Sequence, residues 1–204
     1  MASPTSVIFD VGRVLFDWNL RFLYERLIPD DEALDAFLRD VVTPEWHFQH
    51  DAGRSFADTS TELTAEHPHH AELIAALAPQ FNETIGPAIP GMTELVADLH
   101  AAGVPLYAIT NFSGEFWPPF RAREAEFFAP FRDVVVSGDE KLVKPDAAIY
   151  RLALERFGLE PEEAVFIDDN VANVVGANAL GIHALLFTGE PKLRTDLRDL
   201  GFAL

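Results

Sequence analysis

The chain has 204 residues, of which 49% are hydrophobic, so it can bury a sizeable core in one domain or in one domain that carries an insertion. Its formal net charge of −18 disfavours binding to nucleic acids and to anionic membranes, because those ligands are held mostly by cationic side chains. The absence of cysteine excludes disulfides, thiolate catalysis and zinc sites built on sulfur.

The sequence carries no sign of a membrane segment or an export signal. No apolar run approaches the roughly 18 residues that span a bilayer. The opening MASPTS has neither the basic start nor the apolar centre of a secretory signal. We therefore expect a cytoplasmic protein with no membrane partner, and the sequence allows either a monomer or a homodimer.

The first predicted strand is SVIF (6–9), an apolar run that ends directly at Asp10. Residues 17–86 then carry no strand signal, and their hydrophobic residues recur at helical spacing. This spacing occurs at Leu20, Leu23, Tyr24 and Leu27, and again at Leu34, Phe37, Leu38 and Val41. With further helices predicted near 55–66 and 69–82, we expect a small helical bundle here, followed by a hinge at IGPAIPG (85–91).

Short apolar runs alternate with helical stretches from Pro87 onward, as in strands joined by crossover helices. Four more strands are predicted, at VPLYAIT (104–110), DVVVS (133–137), AVFID (164–168) and HALLF (183–187). Because these runs are continuously apolar, we expect helices to cover both faces of the sheet. The sequence thus predicts a three-layer, Rossmann-like α/β fold with a parallel sheet. Residues 1–16 and 87–204 form this domain, and residues 17–86 form an inserted helical-bundle domain.

Polar residues follow four of the predicted strands. They are Asp10, Thr110 with Asn111, Ser137, and Asp168 with Asp169. Because ligands of parallel α/β sheets bind beyond the carboxyl ends of the strands, we expect these side chains to converge on one crevice. Lys144 precedes Pro145 at the start of a predicted helix, which restricts its backbone. Each residue alone is explained by a turn, a helix cap or a solvated surface, and only their joint occurrence predicts a site.

Four segments together resemble the motifs of the haloacid dehalogenase superfamily. They are FDVGRVLFD, ITN, KPDAAIY and FIDDNVANVVGA, and they occur in the order of that superfamily across nearly the whole chain. The helical insertion is similar to its cap domain. The resemblance implies a hydrolase whose cap covers the active site. It leaves the substrate open, because the superfamily includes phosphatases, dehalogenases and other phosphoryl-transfer enzymes.

The resemblance also implies a Mg²⁺ site. Its ligands would be a carboxylate oxygen of Asp10, the backbone carbonyl of Gly12 and the carboxylate of Asp168, with Asp169 in an outer or water-mediated position. Asn173, one helical turn on, would hold this loop. Electrostatics agree, because two carboxylates about 4 Å apart repel by about 4 kcal/mol at an effective dielectric constant of about 20. One lysine does not offset three such groups, whereas a hard divalent cation does.

By the same resemblance, Asp10 and Lys144 are the predicted catalytic residues. Asp10 would attack phosphorus to form an aspartyl-phosphate, which water then hydrolyses. Polar groups nearby would donate hydrogen bonds and positive charge to the transferring phosphoryl oxygens. The residues expected to contact the phosphate or the rest of the substrate are Thr110, Asn111, Lys144, Arg13 and Trp18. The substrate would be a small phosphorylated metabolite, for example a sugar phosphate.

Gly12 departs from the pattern of most phosphatases in the superfamily, which carry a second aspartate there as general acid and base. Arg13 cannot replace that acid, because a guanidinium keeps its proton. Two alternatives stay open. In a metal-free 2-haloacid dehalogenase, Asp10 would attack carbon and no acid would be needed, although Asp168 and Asp169 would then repel the anionic substrate. The other alternative is a binding protein that has lost catalysis.

Five histidines of the insertion and the three tryptophans of the chain have simpler explanations than a second site. His47, His50, His67, His69 and His70 lie in a segment predicted to be polar, where a proline interrupts any common helical face, so they do not predict a metal centre. Trp18, Trp46 and Trp117 are expected to pack between the insertion and the sheet domain. Trp18 directly follows the first motif and is the one expected to form a wall of the substrate pocket.

Overall fold

A five-stranded parallel sheet lies at the centre of the protein in the computed structural model, which describes residues 4–204. In chain order the strands are β1 (Ser6–Phe9), β2 (Phe16–Trp18), β3 (Ile85–Ala88), β4 (Leu106–Thr110), β5 (Phe131–Val136), β6 (Ala164–Asp168) and β7 (His183–Leu186). The parallel sheet has the order β5-β4-β1-β6-β7. The α/β fold predicted from the sequence is therefore confirmed. Residues 1–3, the start of the first predicted domain segment and of MASPTS, lie outside the described residues.

Helices fill the segment between β2 and β3 and also connect the strands of the sheet. The inserted helices are α1 (Arg21–Tyr24), α2 (Asp31–Asp40), α3 (Pro44–Asp51), α4 (Phe56–Glu66), α5 (Ala71–Ala75) and α6 (Leu77–Gln80). The helices that follow are α7 (Met92–Ala101), α8 (Trp117–Arg123), α9 (Ser137–Glu140), α10 (Ala147–Phe157), α11 (Val171–Asn178) and α12 (Glu190–Asp199). Among the helices of residues 4–204, none is both long and apolar enough to cross a bilayer.

The central strands are buried on both faces, which explains their continuous apolar sequences. Side chains alternate along β1, so Val7 enters one hydrophobic cluster and Ile8 enters another on the opposite face. The cluster that contains Val7 continues into the inserted helices, where it includes Leu34 and Ile74. The insertion and one face of the sheet therefore share a continuous core.

A two-stranded antiparallel ribbon, β2–β3, joins the inserted helices to the sheet domain. Phe16 pairs with Ala88, and Trp18 pairs with Ile85. The sequence predicted no strand here, because strands of three and four residues are too short to show an alternating pattern. The predicted hinge at 85–91 begins as β3. The predicted domain boundaries at 17 and 86 both fall inside the ribbon, so the division into two domains stays a prediction.

Helix prediction was accurate for α2 and α4 and less accurate elsewhere. The helix expected around Leu20 to Leu27 is only the four-residue α1, and the one expected at 69–82 is divided between α5, α6 and two 3₁₀ turns. The helix α3 has no separate prediction. It begins after Thr43, whose hydroxyl accepts a hydrogen bond from the backbone N–H of Trp46, and Pro44 occupies its first turn.

Phenylalanine rings form much of the contact between the inserted helices and the sheet domain. Phe81, which follows α6, stacks on Phe116 with ring centroids 4.3 Å apart. Phe56 of α4 packs on the same ring at 5.8 Å. Two of the three tryptophans predicted to pack between the insertion and the sheet domain instead pack behind these phenylalanines. Trp46 packs on Phe56 within the helical segment, and Trp117 packs on phenylalanines of the sheet domain.

Candidate active site

Three carboxylates meet at the carboxyl ends of two neighbouring strands. Asp10 follows β1, Asp168 ends β6, and Asp169 comes directly after it. One carboxylate oxygen from each lies within 4.8 Å of the other two. Asp168 is fully buried, Asp10 is nearly so, and Asp169 is half-buried. The sheet therefore brings together the three acids that the sequence predicted would converge.

Lys144 provides the buried positive charge of this cluster. Its Nζ lies 2.8 Å from Oδ1 of Asp10 and 2.7 Å from Oδ2 of Asp168, and the residue is 2% exposed. Burial by itself lowers the pKa of the lysine, but the two carboxylates outweigh burial and the pKa is raised. Lys144 therefore stays protonated, as its predicted role requires.

Asn111 contacts Lys144 in a way that the sequence did not predict. Its side-chain Nδ2 donates to the backbone carbonyl of Lys144 at 3.1 Å, and its Oδ1 accepts from the backbone N–H of Lys144 at 2.9 Å. The amide lines the cavity described below but fixes the lysine backbone. Thr110, the other polar residue after β4, is buried and does not line that cavity within the part of the chain that the structure describes.

Asp168 is held by the loop and helix that follow it. The side-chain Nδ2 of Asn173 donates to both carboxylate oxygens of Asp168, each at 3.0 Å, and the backbone N–H of Asn170 donates to Oδ1 at 2.8 Å. Tyr150 in turn donates its hydroxyl to the carbonyl of Asn173 at 2.9 Å. The carboxylate is therefore fixed in position on several sides.

The charge balance of the cluster suits a divalent cation. Burial raises the pKa of Asp10 to about 7, Asp168 adds to the rise, and Lys144 opposes it. Burial, with the charge of Asp168, also raises the pKa of Asp169. Three oxygen-bearing groups thus share one buried lysine, a donor set of the kind that Mg²⁺ prefers. Gly12 faces the same cavity.

A cavity of about 460 Å³ opens at the cluster, a volume suited to a small metabolite. Residues from the sheet, the ribbon and α3 form its walls. Arg13 and Trp18 stand together at its edge, with the guanidinium carbon of Arg13 5.5 Å from the ring centroid of Trp18. Both predicted substrate contacts therefore lie at the cavity, and Trp18 forms part of its wall as expected. The catalytic and binding roles of these residues stay predictions.

Comparison with known proteins identifies the family. A family model described as haloacid dehalogenase-like hydrolase matches residues 7–181. The chain belongs to this family. This haloacid dehalogenase-like (HAD) hydrolase is 32% identical to hexitol phosphatase A of Escherichia coli over 177 residues, which are 86% of this chain and 74% of that protein.

Two further relatives differ in how much of their length this HAD hydrolase covers. It is 27% identical to the sesquiterpene phosphatase astK of Aspergillus oryzae over 203 residues, which are 96% of this chain and 95% of that protein. It is 28% identical to mouse acyl-CoA dehydrogenase family member 10 over 209 residues, but these are 90% of this chain and only 18% of the mouse protein.

Solved structures share the fold of the HAD hydrolase at low sequence identity. A HAD family enzyme of Bacteroides thetaiotaomicron in a magnesium complex superimposes with a TM-score of 0.72 at 18% identity, over 97% of this chain and 100% of that one. The L-2-haloacid dehalogenase of Xanthobacter autotrophicus, with chloropropionic acid covalently bound, gives 0.68 at 20% identity, over 98% and 85%. The fold alone therefore does not distinguish a magnesium-binding HAD enzyme from a haloacid dehalogenase.

Two functional candidates on α3 of the HAD hydrolase were missed by the sequence reasoning. His47 and Asp51 are both buried and both line the cavity, and Nε2 of His47 lies 3.9 Å from Oδ1 of Asp51. This segment was predicted to be polar, and the structure buries two of its histidines, His47 and His50, the latter with 1% exposed. The available signal was spacing, because residues four apart in WHFQHD share one helix face.

Proposed function

We propose that this HAD hydrolase is a Mg²⁺-dependent phosphomonoester hydrolase that acts through an aspartyl-phosphate at Asp10. Its substrate would be a small phosphorylated metabolite, with sugar phosphates the first class to test. The observation that carries this proposal is the buried cluster of Asp10, Lys144 and Asp168, with Asp169 beside it, at a cavity of about 460 Å³. The phosphatases among its relatives support the same chemistry.

Asp10 is well placed to act as the nucleophile. Its Oδ1 accepts a hydrogen bond from the backbone N–H of Val11 at 2.7 Å and also contacts Lys144, which orients the carboxylate. In the proposed reaction Oδ2 attacks phosphorus, the bond from phosphorus to the leaving oxygen breaks, and an aspartyl-phosphate forms. The oxygen of a water molecule then attacks the same phosphorus, which releases inorganic phosphate and restores Asp10.

Lys144 and Arg13 supply positive charge to the phosphoryl oxygens. Lys144 is held by Asn111 through its backbone, so its charge is in place before substrate binds. Arg13 stands at the cavity edge over Trp18, where it can contact a phosphate or another anionic group of the substrate. We assign Asn111 the role of positioning Lys144. Thr110 is buried at the end of β4, where we assign it a structural role beside Asn111.

The groups that would hold Mg²⁺ are the carboxylates of Asp10 and Asp168 and the carbonyl of Gly12, with the Asp169 carboxylate in an outer or water-mediated position. When bound, the cation would offset negative charge on these carboxylates and on the phosphoryl group. Asn173 keeps Asp168 oriented for this purpose through its two hydrogen bonds. Lys144, Arg13 and Mg²⁺ would then be three positive species against three carboxylates and the phosphate.

A phosphatase screen with a halide-release assay tests the proposal. The panel comprises sugar phosphates, nucleotides, acyl phosphates and aryl phosphates, each with Mg²⁺ and with excess chelator, alongside 2-chloropropionate. We expect phosphate release from at least one class, lost with chelator and restored by Mg²⁺. Full turnover after exhaustive chelation would contradict metal dependence. Halide release without phosphate release would replace this proposal with the dehalogenase alternative.

A further inference from the structure

Asp51 is a buried acid that the reaction described above does not use. It lies at the end of α3 and lines the same cavity as Asp10, with 8% of the residue exposed. The backbone carbonyl of Asp51 accepts a hydrogen bond from the Ser137 hydroxyl at 2.6 Å. Nε2 of His47 lies 3.9 Å from Oδ1 of Asp51, too far for a hydrogen bond. Within residues 4–204 the Asp51 carboxyl group has no hydrogen-bond partner, and it faces the cavity.

The end of α3 is fixed against the sheet domain, so Asp51 has a defined position relative to Asp10. Ser137, which follows β5, both donates to the Asp51 carbonyl and accepts from the backbone N–H of Phe112 at 3.0 Å. Gly53 comes so close to α9 that an added Cβ would lie 2.9 Å from the carbonyl oxygen of Gly138. Two contacts thus hold the inserted helix in place beside the cavity.

The chemical state of Asp51 fits proton transfer. Burial raises the pKa of Asp51 to about 8, Asp10 adds to the rise, and Lys144 opposes it. His47 does not hold Asp51 as a carboxylate, because burial lowers the pKa of His47 to about 3 and keeps the imidazole neutral. Asp51 therefore carries a proton near neutral pH.

The structure leaves room at Gly12 for the aspartate that most phosphatases of the superfamily carry at this position. A Cβ at Gly12 would have one neighbour within 4 Å, the Cβ of Trp18 at 3.9 Å, so neither space nor backbone angle requires glycine. Arg13 cannot donate a proton usefully, since its guanidinium does not deprotonate. A phosphatase that lacks an acid at position 12 needs a proton source elsewhere on the cavity wall for any poor leaving group.

We propose that Asp51 is the general acid and base of this enzyme, an inference that rests on the proposed phosphatase function. As Oδ2 of Asp10 bonds to phosphorus and the bond to the leaving oxygen breaks, the Asp51 carboxyl gives its proton to that oxygen. In the second step the Asp51 carboxylate takes a proton from water while the water oxygen attacks the aspartyl-phosphate. Phosphate leaves, Asp10 is restored, and Asp51 is again protonated.

Asp51→Asn tests this role with two kinds of phosphate ester. The substrates are 4-nitrophenyl phosphate, whose leaving group needs no proton, and the best alkyl phosphate of the panel. We expect kcat/KM for the alkyl phosphate to fall about 10²- to 10⁴-fold, while kcat/KM for 4-nitrophenyl phosphate changes by less than about tenfold. Since the variant also lacks the base, the aryl substrate should give a burst of nitrophenolate equal to the enzyme concentration, followed by slow turnover.

Matched variants separate catalysis from folding. Glu45→Gln removes a carboxylate from the exposed side of the same helix and should leave both substrates unaffected. Gly12→Asp added to Asp51→Asn should restore alkyl phosphate turnover at least tenfold. If Asp51→Asn does not fold, as judged by thermal unfolding, Asp51→Ala provides the same comparison.

The outcomes distinguish this inference from the proposed function. Equal losses of kcat/KM for the two substrates, or no loss for either, overturn the role of Asp51 and leave the phosphatase intact. Wild-type protein that releases phosphate from no ester of the panel overturns both.

Discussion

Asn173 donates its side-chain amide to both carboxylate oxygens of Asp168, each at 3.0 Å, while Lys144 contacts Oδ2 of the same carboxylate at 2.7 Å. Both oxygens of this fully buried acid are thus hydrogen-bonded, by Asn173 of α11 and by Lys144, which lies just before α10. These contacts hold the Asp168 carboxylate in position, and they make the response of the cluster to substitution predictable.

Asp10→Asn should abolish turnover without unfolding the protein. The amide keeps the shape of the side chain but is not a nucleophile toward phosphorus. Lys144 keeps its buried partner Asp168, so no charge is left unpaired. The measurements are phosphate release and thermal unfolding. Activity above a small fraction of the wild-type rate would show that another group attacks the substrate.

Lys144→Met should be strongly destabilising at neutral pH in the absence of added metal. The substitution leaves the buried carboxylates of Asp10 and Asp168 without their cation, and breaking such a pair typically costs about 3–5 kcal/mol. The free energy of unfolding from urea titrations measures the effect. Lys192→Met is the control, because Lys192 is largely exposed where it pairs with Asp196, and it should change stability by at most about 1 kcal/mol. Similar losses in both variants would contradict a special role for the buried pair.

Mg²⁺ should stabilise the wild-type protein against thermal unfolding. A ligand present at 100 times its dissociation constant adds about 2.7 kcal/mol to stability. Asp169→Asn should weaken magnesium binding about 10- to 100-fold, the range for a group that supports a metal ligand, and displace the thermal-shift titration to higher concentration accordingly. A wild-type unfolding temperature that does not respond to Mg²⁺ would argue against a metal site at these carboxylates.

The sheet and the acids at its edge were predictable because their sequence signals are local. The runs that form β1, β4 and β6 are continuously apolar and end at Asp10, Thr110 and Asp168, so strand and site residues appear in the same short segments. What α3 contributes was not predictable in this way. Its buried face includes His47, His50 and Asp51, which resemble a solvated surface when only polarity is considered.

Asn111 shows a second limit of sequence reasoning. It follows a strand in the position of a phosphate donor, and its residue type suits that role. Its amide instead contacts the backbone of Lys144, a residue 33 positions further along the chain. Such long-range hydrogen bonds depend on how the loop after β4 packs against the segment between α9 and α10, and no local sequence pattern predicts that packing.

His50 should make the protein less stable in mild acid. It is packed against Trp46, Phe56 and Phe116, and burial, with the charge of Arg54, lowers the pKa of His50 to about 4. An unfolded histidine titrates near 6.5. Between these values the unfolded state binds more protons than the folded state, so stability is lost as the pH falls from about 6.5 to about 4.

His50→Gln isolates this contribution, because the amide does not titrate and can still hydrogen-bond to Thr59, whose Oγ1 lies 2.6 Å from Nε2 of His50. The free energy of unfolding of the wild type minus that of the variant should fall by about 3 kcal/mol between pH 7 and pH 4, since one pKa unit corresponds to about 1.4 kcal/mol. Urea titrations at several pH values measure it. Burial is the larger cause of the lowered pKa of His47 and acts in both proteins, whereas the smaller effect of the His50 charge on His47 is present only in the wild type. A difference that stays constant over this range would mean that His50 is protonated as readily in the folded state as in the unfolded state.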